Sequence, residues 1–393
     1  MKESTYLQII IKTTVISTIT IVILLLFSLL PSVNTKWMDG GKLVLEYVQF
    51  SDLFFRWHDP IETPYIESSK DSCKVYVVDV NKYENREELA DLFNAIADAQ
   101  PYLVALDLTF DPYYMMDTVV NRHLIESIKR LPNLVIAEGV LNNGDSLHHS
   151  FIAESLKGYG EEALISLPFP IARRWKKEFI VKGDTIPSFA AAIANKTGII
   201  IPDSHEECLI NFSIYEAPAL DLPRRFNPEI LRNQIIIVGD VEDKRDYFMV
   251  PFTFNSDMRM SGVLIHSQIL QTIMAQQWFR KISKSWMWII AFIYLWLYIC
   301  GGKFITKFLS SRPKWKWAER RTKNLWKLLV TIILILCAYW IFWWTHRYID
   351  VIAVILTPVM LWIEDAVVSI YEFFILGVKT LNEFIIKKKG LKI

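Results

Sequence analysis

CKVYVVDV at residues 73–80, YLVALDL at 102–108 and NLVIAEGV at 133–140 are the runs that decide the fold of this chain. Each is short, apolar and rich in β-branched side chains, the pattern of a strand buried on both faces. Two helical patterns separate them. In Arg86–Ala99, Leu89, Leu92, Phe93 and Ile96 recur at helical spacing, Asn85 with Glu88 three residues on reads as a capping box, and Pro101 ends the helix. In Thr118–Leu131, Val120, Leu124, Ile128 and Leu131 share a face and Asp117 is placed to cap it. Strand, helix, strand, helix, strand at this spacing predicts a parallel sheet with right-handed crossovers.

Downstream the pattern is less regular. Leu164–Leu167 reads as a short strand, Phe189–Thr197 as a helix and Leu209–Ile214 as a strand. Gln234–Val238 (QIIIV) is the clearest late strand, followed by Gly239 and a charged loop. Gly262 opens an apolar helical stretch, Val263–Gln277. The expected class is α/β, an open, mainly parallel sheet flanked by helices, with four transmembrane helices outside it.

Those spans lie toward the ends of the 393 residues. Ile9–Leu30 reads IIIKTTVISTITIVILLLFSLL, without charge from Val15 on, close to the roughly 20 residues that a spanning helix needs. Leu29-Leu30-Pro31-Ser32-Val33-Asn34 is a poor signal-peptide cleavage site, so the segment reads as an uncleaved anchor. Three further spans are expected at Trp286–Ile305, at Leu328–Trp344 with Trp340, Trp343 and Trp344 as an interfacial belt, and from Val351 to about Ile370. Glu364 and Asp365 sit within or at the end of the last of these, and an amphipathic continuation follows.

Four spans put both termini on one side. The loop Lys303–Lys327 carries nine Lys/Arg against one acid, Glu319, and Lys387, Lys388 and Lys389 follow in the tail. Short basic loops stay cytoplasmic, so the termini are expected inside and the large block outside. The expected organisation is an anchor over 1–31, an extracytoplasmic domain over 32–283, three spans over 284–376 enclosing the basic loop 303–327, and a basic tail over 377–393. The net charge of +1 hides a split: residues 32–283 hold 25 basic and 35 acidic side chains, and the remainder 18 and 7. An acidic domain excludes nucleic acid as its ligand, because a phosphate backbone needs a basic surface. The basic loop, with Trp315 and Trp317, suits anionic lipid headgroups.

Ligands of open parallel sheets bind beyond the carboxyl ends of the strands. Asp79, Asp107 and Glu138 end the first three runs, Asp111 follows the second, and Gly239 and Asp240 end the late one, with Glu242, Asp243 and Asp246 next. If these strands are neighbours, their acids converge on one rim, where a hard cation or an amine can bind. The competing reading is that the acids cap helices or pair with Arg86, Lys244 and Arg245. His266 is a second candidate, as a ligand or proton-sensing group, against the competing reading of a hydrogen-bonded structural histidine. No cofactor is expected, and no metal is specified. Dinucleotide, P-loop, nucleophile-elbow and zinc-protease motifs are absent, and His148-His149 reads as an exposed turn. Cys73 and Cys208 fall in the external block, where pairing remains open.

The order VYVVDV, helix, LVALDLTFD, helix, NLVIAEGV resembles the opening of the CHASE domain of type 2. Ile237-Val238-Gly239, a loop holding Asp246 and Pro251, and Gly262-Val263-Leu264-Ile265-His266 at the start of the last helix resemble its later signature, and Pro187-Ser188-Phe189-Ala190 its mid-domain helix start. The resemblance covers roughly Val75 to Arg280, and the one-plus-three span layout agrees. Gly239-Asp240-Val241 departs from the Gly-Ala-Thr-like residues frequent there. The resemblance implies a bacterial inner-membrane protein that senses an unknown small ligand or protein in the periplasm, without implying catalysis. With no fused effector, output is expected through a separate cytoplasmic protein, and self-association is an open expectation. The alternative is a non-catalytic assembly subunit of an envelope complex.

Overall fold

The computed structural model describes residues 2–29, 50–67, 72–110, 118–140, 147–148, 153–167, 171–201, 207–222, 227–251, 259–312 and 319–349. In chain order its main elements are α1 (Lys2–Leu29), α2 (Phe50–Arg56), β1 (Val75–Asp79), α3 (Arg86–Asp98), β2 (Leu103–Asp107), α4 (Thr118–Lys129) and β3 (Val135–Val140). There follow β4 (Leu147–His148), β5 (Glu161–Leu164), α5 (Phe189–Lys196), β6 (Ala219–Leu220), β7 (Ile235–Gly239), α6 (Gly262–Met274), α7 (Lys284–Ser310) and α8 (Glu319–Thr345). They form two units, Val44–Lys281 and Met1–Leu43 with Ile282–Ile393.

In the first unit the three quoted runs are strands of one parallel sheet, but β1 and β2 are not neighbours. The order is β6-β1-β7-β2-β3-β5, all parallel, with β4 antiparallel to the end of β3. β7 is inserted between β1 and β2. Alternate residues therefore supply two cores. Val75, Val77, Leu103, Ala105, Ile235 and Ile237 pack with α5 and α6 on one face. Val78, Val104, Leu106, Ile236 and Val238 pack with α3 and α4 on the other. Burial of both faces is why the strands read as unbroken apolar runs.

Local signals explain the helix starts. The Asn85 side chain accepts from the Glu88 amide at 2.9 Å, as a capping residue does. The return bond of Glu88 goes to the Glu84 amide, one residue earlier than a capping box requires. Two expectations shift. The strand sought at Leu164–Leu167 is Glu161–Leu164, where pairing with Val135–Glu138 overrides the acidic side chains that masked it. Of Leu209–Ile214 only Leu209 lies in a strand, Cys208–Leu209, and the following residues bond to α6 instead. His148 lies in β4, opposite Gly139; His149 and Asp111 lie outside the described residues. Cys73 and Cys208 are buried thiols that form no disulfide, and burial pushes Cys73 up to about 11, which leaves it protonated and unreactive.

Among its described residues the second unit contains three long helices, α1, α7 and α8. Ser285–Ser310 and Arg321–Thr345 are long and apolar enough to cross a membrane, and a shorter apolar stretch, Tyr6–Val22, lies within α1. The expected third C-terminal span, with Glu364 and Asp365, lies outside the described residues. Tyr6 stacks on Phe304 at 5.4 Å, and Trp296 donates to the Thr14 hydroxyl at 3.1 Å, so α1 and α7 run antiparallel. Trp326 bonds to the Leu297 carbonyl, and Tyr294 to Thr331, so α7 and α8 do too. Gly301 makes this close approach possible: a Cβ there would sit 2.1 Å from the Trp326 ring.

Candidate functional site

The insertion of β7 creates a switch point. β1 is followed by α3 and β2 by α4, both on one face, whereas β7 is followed by α6 on the other. Crevices open at such points beyond the strand carboxyl ends. The strand ends are in register: Gly239 lies opposite Asp79 on one side and Asp107 on the other. All three share the α6 face, two residues on from Val77, Ile237 and Ala105. Gly239 must lack a side chain, because a Cβ would meet Val263 at 2.7 Å and Asp107 at 3.3 Å. The first turn of α6 thus rests on the end of β7, beside Asp107.

The rim acids do not pool into one cluster. Asp79 Oδ1 accepts from the amides of Asn81 at 3.1 Å and Val241 at 3.0 Å, tying the loops after β1 and β7 together. The Asn81 side-chain amide donates to the Glu242 carboxylate. Asp240 accepts from the amides of Glu242 and Asp243, both at 2.9 Å, and Asp243 holds the Arg245 amide and guanidinium. The side-chain bond from Arg245 holds the Asp243 carboxyl below its ordinary range. These three acids shape the charged loop itself. Glu138 projects to the opposite face, one residue on from Ala137 in the α6-side core, and is 1% exposed. Burial, with Glu162 nearby, pushes it up to about 7. Among the described residues no three His, Cys, Asp or Glu side chains are placed to hold a metal ion.

Two carboxyls do interact near the start of α6. Asp246 Oδ2 accepts from the Gly262 amide at 3.0 Å, satisfying one of the unpaired donors at the helix start. Ser261, the capping residue, makes no such bond with its side chain. Burial pushes Asp246 up to about 6 against the opposing effect of the Gly262 bond, with Asp243 and Asp240 contributing repulsion. Asp107 is pushed up to about 7, first by burial and then by the Asp246 charge. The site is therefore a pair of carboxyls at the start of α6, both titrating near neutrality. His266, one turn into α6, is 4% exposed, lies edge-on to Phe189 at 5.3 Å and bonds with the Ile165 backbone. Burial depresses it to about 4, so it is neutral at physiological pH.

The family model of the CHASE2 domain matches residues 18–302, well over half of the chain. The chain belongs to the CHASE2 domain family. CHASE2 is a family of extracellular, sensory-type domains. The match begins inside α1 and ends inside α7, beyond the Val75–Arg280 that carried the resemblance. A CHASE2 domain beside two helices of spanning length and hydropathy points to a membrane protein. Comparison with curated proteins and with solved structures gave no match.

Within this CHASE2 domain, sequence reasoning missed a polar row on α6. Gln268, Gln271 and Thr272 are each 1% exposed or less. Gln268 donates to the carbonyls of Asn211 at 2.8 Å and Ile214 at 3.0 Å. Their three- and four-residue spacing is that of one helix face, which by itself reads as a solvated stripe. Also missed was the buried pair Asp52–Arg173, whose members stand far apart in the chain with no local pattern to link them.

Proposed function

We propose that this protein is an integral membrane sensor of the bacterial inner membrane. Its Val44–Lys281 unit lies in the periplasm and reads a stimulus, a small ligand or a protein, in the crevice over β1, β7 and β2. Helix α6 carries the response toward the C-terminal helices, and a separate cytoplasmic protein receives it at the basic segment 303–327. Both termini are cytoplasmic. The observation that carries this reading is the bond from the Gly262 amide to Asp246 at the switch point. A ligand that engages Asp246 or Asp107 alters the forces on the first turn of α6, and α7 begins ten residues after α6 ends. A stimulus acts only through a difference in affinity between two states, and a carboxylate bonded to a helix start in one of them offers such a difference. The orientation is supported by charge: Tyr6, Phe304 and Lys307 gather at one end of the antiparallel helices, the end that bears the basic segment.

The test uses the full chain in its own cells, with a photo-crosslinking residue at Lys303 or Lys323. A cytosolic protein should be captured, with a yield that responds to periplasmic extracts in the wild type but not in Asp107→Ala. Capture of lipid and of further copies of the chain alone refutes the reading. A periplasmic protein retained regardless of Asp107 would instead favour an assembly subunit of an envelope complex.

A further inference from the structure

The segments by which the chain enters and leaves the Val44–Lys281 unit are both bonded to one stretch, residues 208–217. On the incoming side, α2 buries Asp52, whose carboxylate accepts from Arg173 Nε at 2.9 Å and Nη2 at 2.7 Å. The carbonyl of Arg173 accepts from the Ile210 amide at 2.9 Å. Farther along, the Ile61 amide donates to Ser213 at 2.8 Å, and the Tyr215 amide donates back to Ile61 at 2.9 Å. On the outgoing side, Leu209 donates to the Phe279 carbonyl at 2.9 Å, and Cys208 lies opposite Arg280 in an antiparallel pairing. Phe279 also meets Phe55 of α2 edge-on at 5.2 Å.

The same stretch is bonded along α6. The Asn211 amide donates to Thr272 Oγ1 at 3.0 Å, while Gln268 donates to the Asn211 and Ile214 carbonyls. With its amide oriented to suit its neighbours, Gln271 bridges the Tyr215 carbonyl and the Ala217 amide at 3.0 Å each. The Asn211 side chain reaches Gln277, just past the helix. Apolar contacts tolerate sliding, but buried directional bonds do not, because each displaced donor or acceptor is left unpaired away from water. This row therefore locks α6 to 208–217 at one register, and 208–217 is locked in turn to both chain connections.

We propose that residues 208–217 form a strap that couples α6 to the incoming segment 50–61 and the outgoing segment 277–281, so that a displacement of α6 moves both connections together. The coupling is a property of the fold, and it stands whether or not the rim of the sheet is the place where a stimulus acts.

Hydrogen exchange read by mass spectrometry on the full chain in nanodiscs tests it. Thr272→Val keeps the shape of the side chain and removes the acceptor of the Asn211 amide; Gln268→Leu removes both carbonyl bonds. Each should speed exchange of the Ile61 and Tyr215 amides at least about fivefold, the factor that one net hydrogen bond of ordinary strength represents. Neither replaced side chain bonds to those amides. Ile61→Pro, which removes a donor to the strap, should in return speed exchange in the last two turns of α6. Leu124→Ala on the opposite face of the sheet controls for general loosening. Faster exchange confined to residues 268–275 in both α6 variants overturns the strap, as does a pattern that Leu124→Ala reproduces.

Discussion

Replacing Gly262 by alanine sets two effects of known sign against each other. Alanine is favoured over glycine in a helix by about 1 kcal/mol in the interior, and by less at a first position, so on propensity alone α6 gains. The structure opposes this. The new Cβ would lie 2.3 Å from Asp246 Oδ2 and 3.0 Å from its Cγ and Oδ1, short of van der Waals contact by roughly 1 Å for the nearest atom. The carboxylate must swing away, breaking its 3.0 Å bond to the Gly262 amide. A hydrogen bond to a charged group contributes about 1.5–3 kcal/mol net. The loss wins, and Gly262→Ala is expected to destabilise the Val44–Lys281 unit by about 1–2 kcal/mol, or roughly 2–8 °C in Tm for a unit of this size. Near-UV circular dichroism melts of the full chain in detergent at pH 7.5 measure it. The decisive comparison is made in an Asp246→Ala background. There the clash and the bond are both gone, so the same glycine replacement should be neutral or stabilising by up to about 1 kcal/mol. If Gly262→Ala costs as much with Asp246 absent as with it present, the carboxylate does not hold this helix start.

The carboxyl of Asp107, pushed up to about 7 from 3.8, binds its proton more tightly folded than unfolded, so it subtracts stability as pH rises from about 4 through 7. Asp107→Asn should therefore raise Tm at pH 7.5, with the gain shrinking to nothing near pH 4; a pH-independent difference would refute it. His266, depressed to about 4, acts in the opposite direction between about pH 4 and 6.5 and is common to both proteins, so it cancels from the difference. Asp52→Leu and Arg173→Leu should each cost about 3–5 kcal/mol in denaturant melts, because either takes from a buried charge its ion-pair partner, whereas the double replacement should cost clearly less than their sum. Gly301→Val drives a side chain into the Trp326 ring and should lower the detergent melting temperature of the full chain, by the equivalent of about 1–3 kcal/mol. Trp326→Ala should relieve most of that cost.

Much of the fold was legible because its signals are local. Asn85 and Glu88 mark the start of α3 three residues apart, and the runs at 75–79, 103–107 and 235–239 are apolar because both faces of each strand are covered. The short strands were not legible. β6 is two residues long, and Glu161-Glu162 disguises the start of β5, so pairing partners decided these elements and composition did not. The candidate site was half legible. Sequence placed Asp79, Asp107, Gly239, Asp240 and Asp246 near strand ends, but whether they meet depends on which strands are neighbours and which face each side chain takes.

By itself the sequence determined the order of the long strands and helices, the parallel sense of the sheet, the two apolar helices around Trp286–Ile305 and Leu328–Trp344, and membership in the CHASE2 family. Tertiary structure alone decided that β7, arriving over a hundred residues after β2, lies between β1 and β2. It also decided that Glu138 points to the sheet face opposite α6, that Asp107 and Asp246 face the start of α6, and that Gln268, Gln271 and Thr272 of α6 are buried. The reason is physical: hydrophobic period and capping act within a few residues, whereas strand insertion and the pairing of buried polar groups depend on partners that only the folded chain brings together.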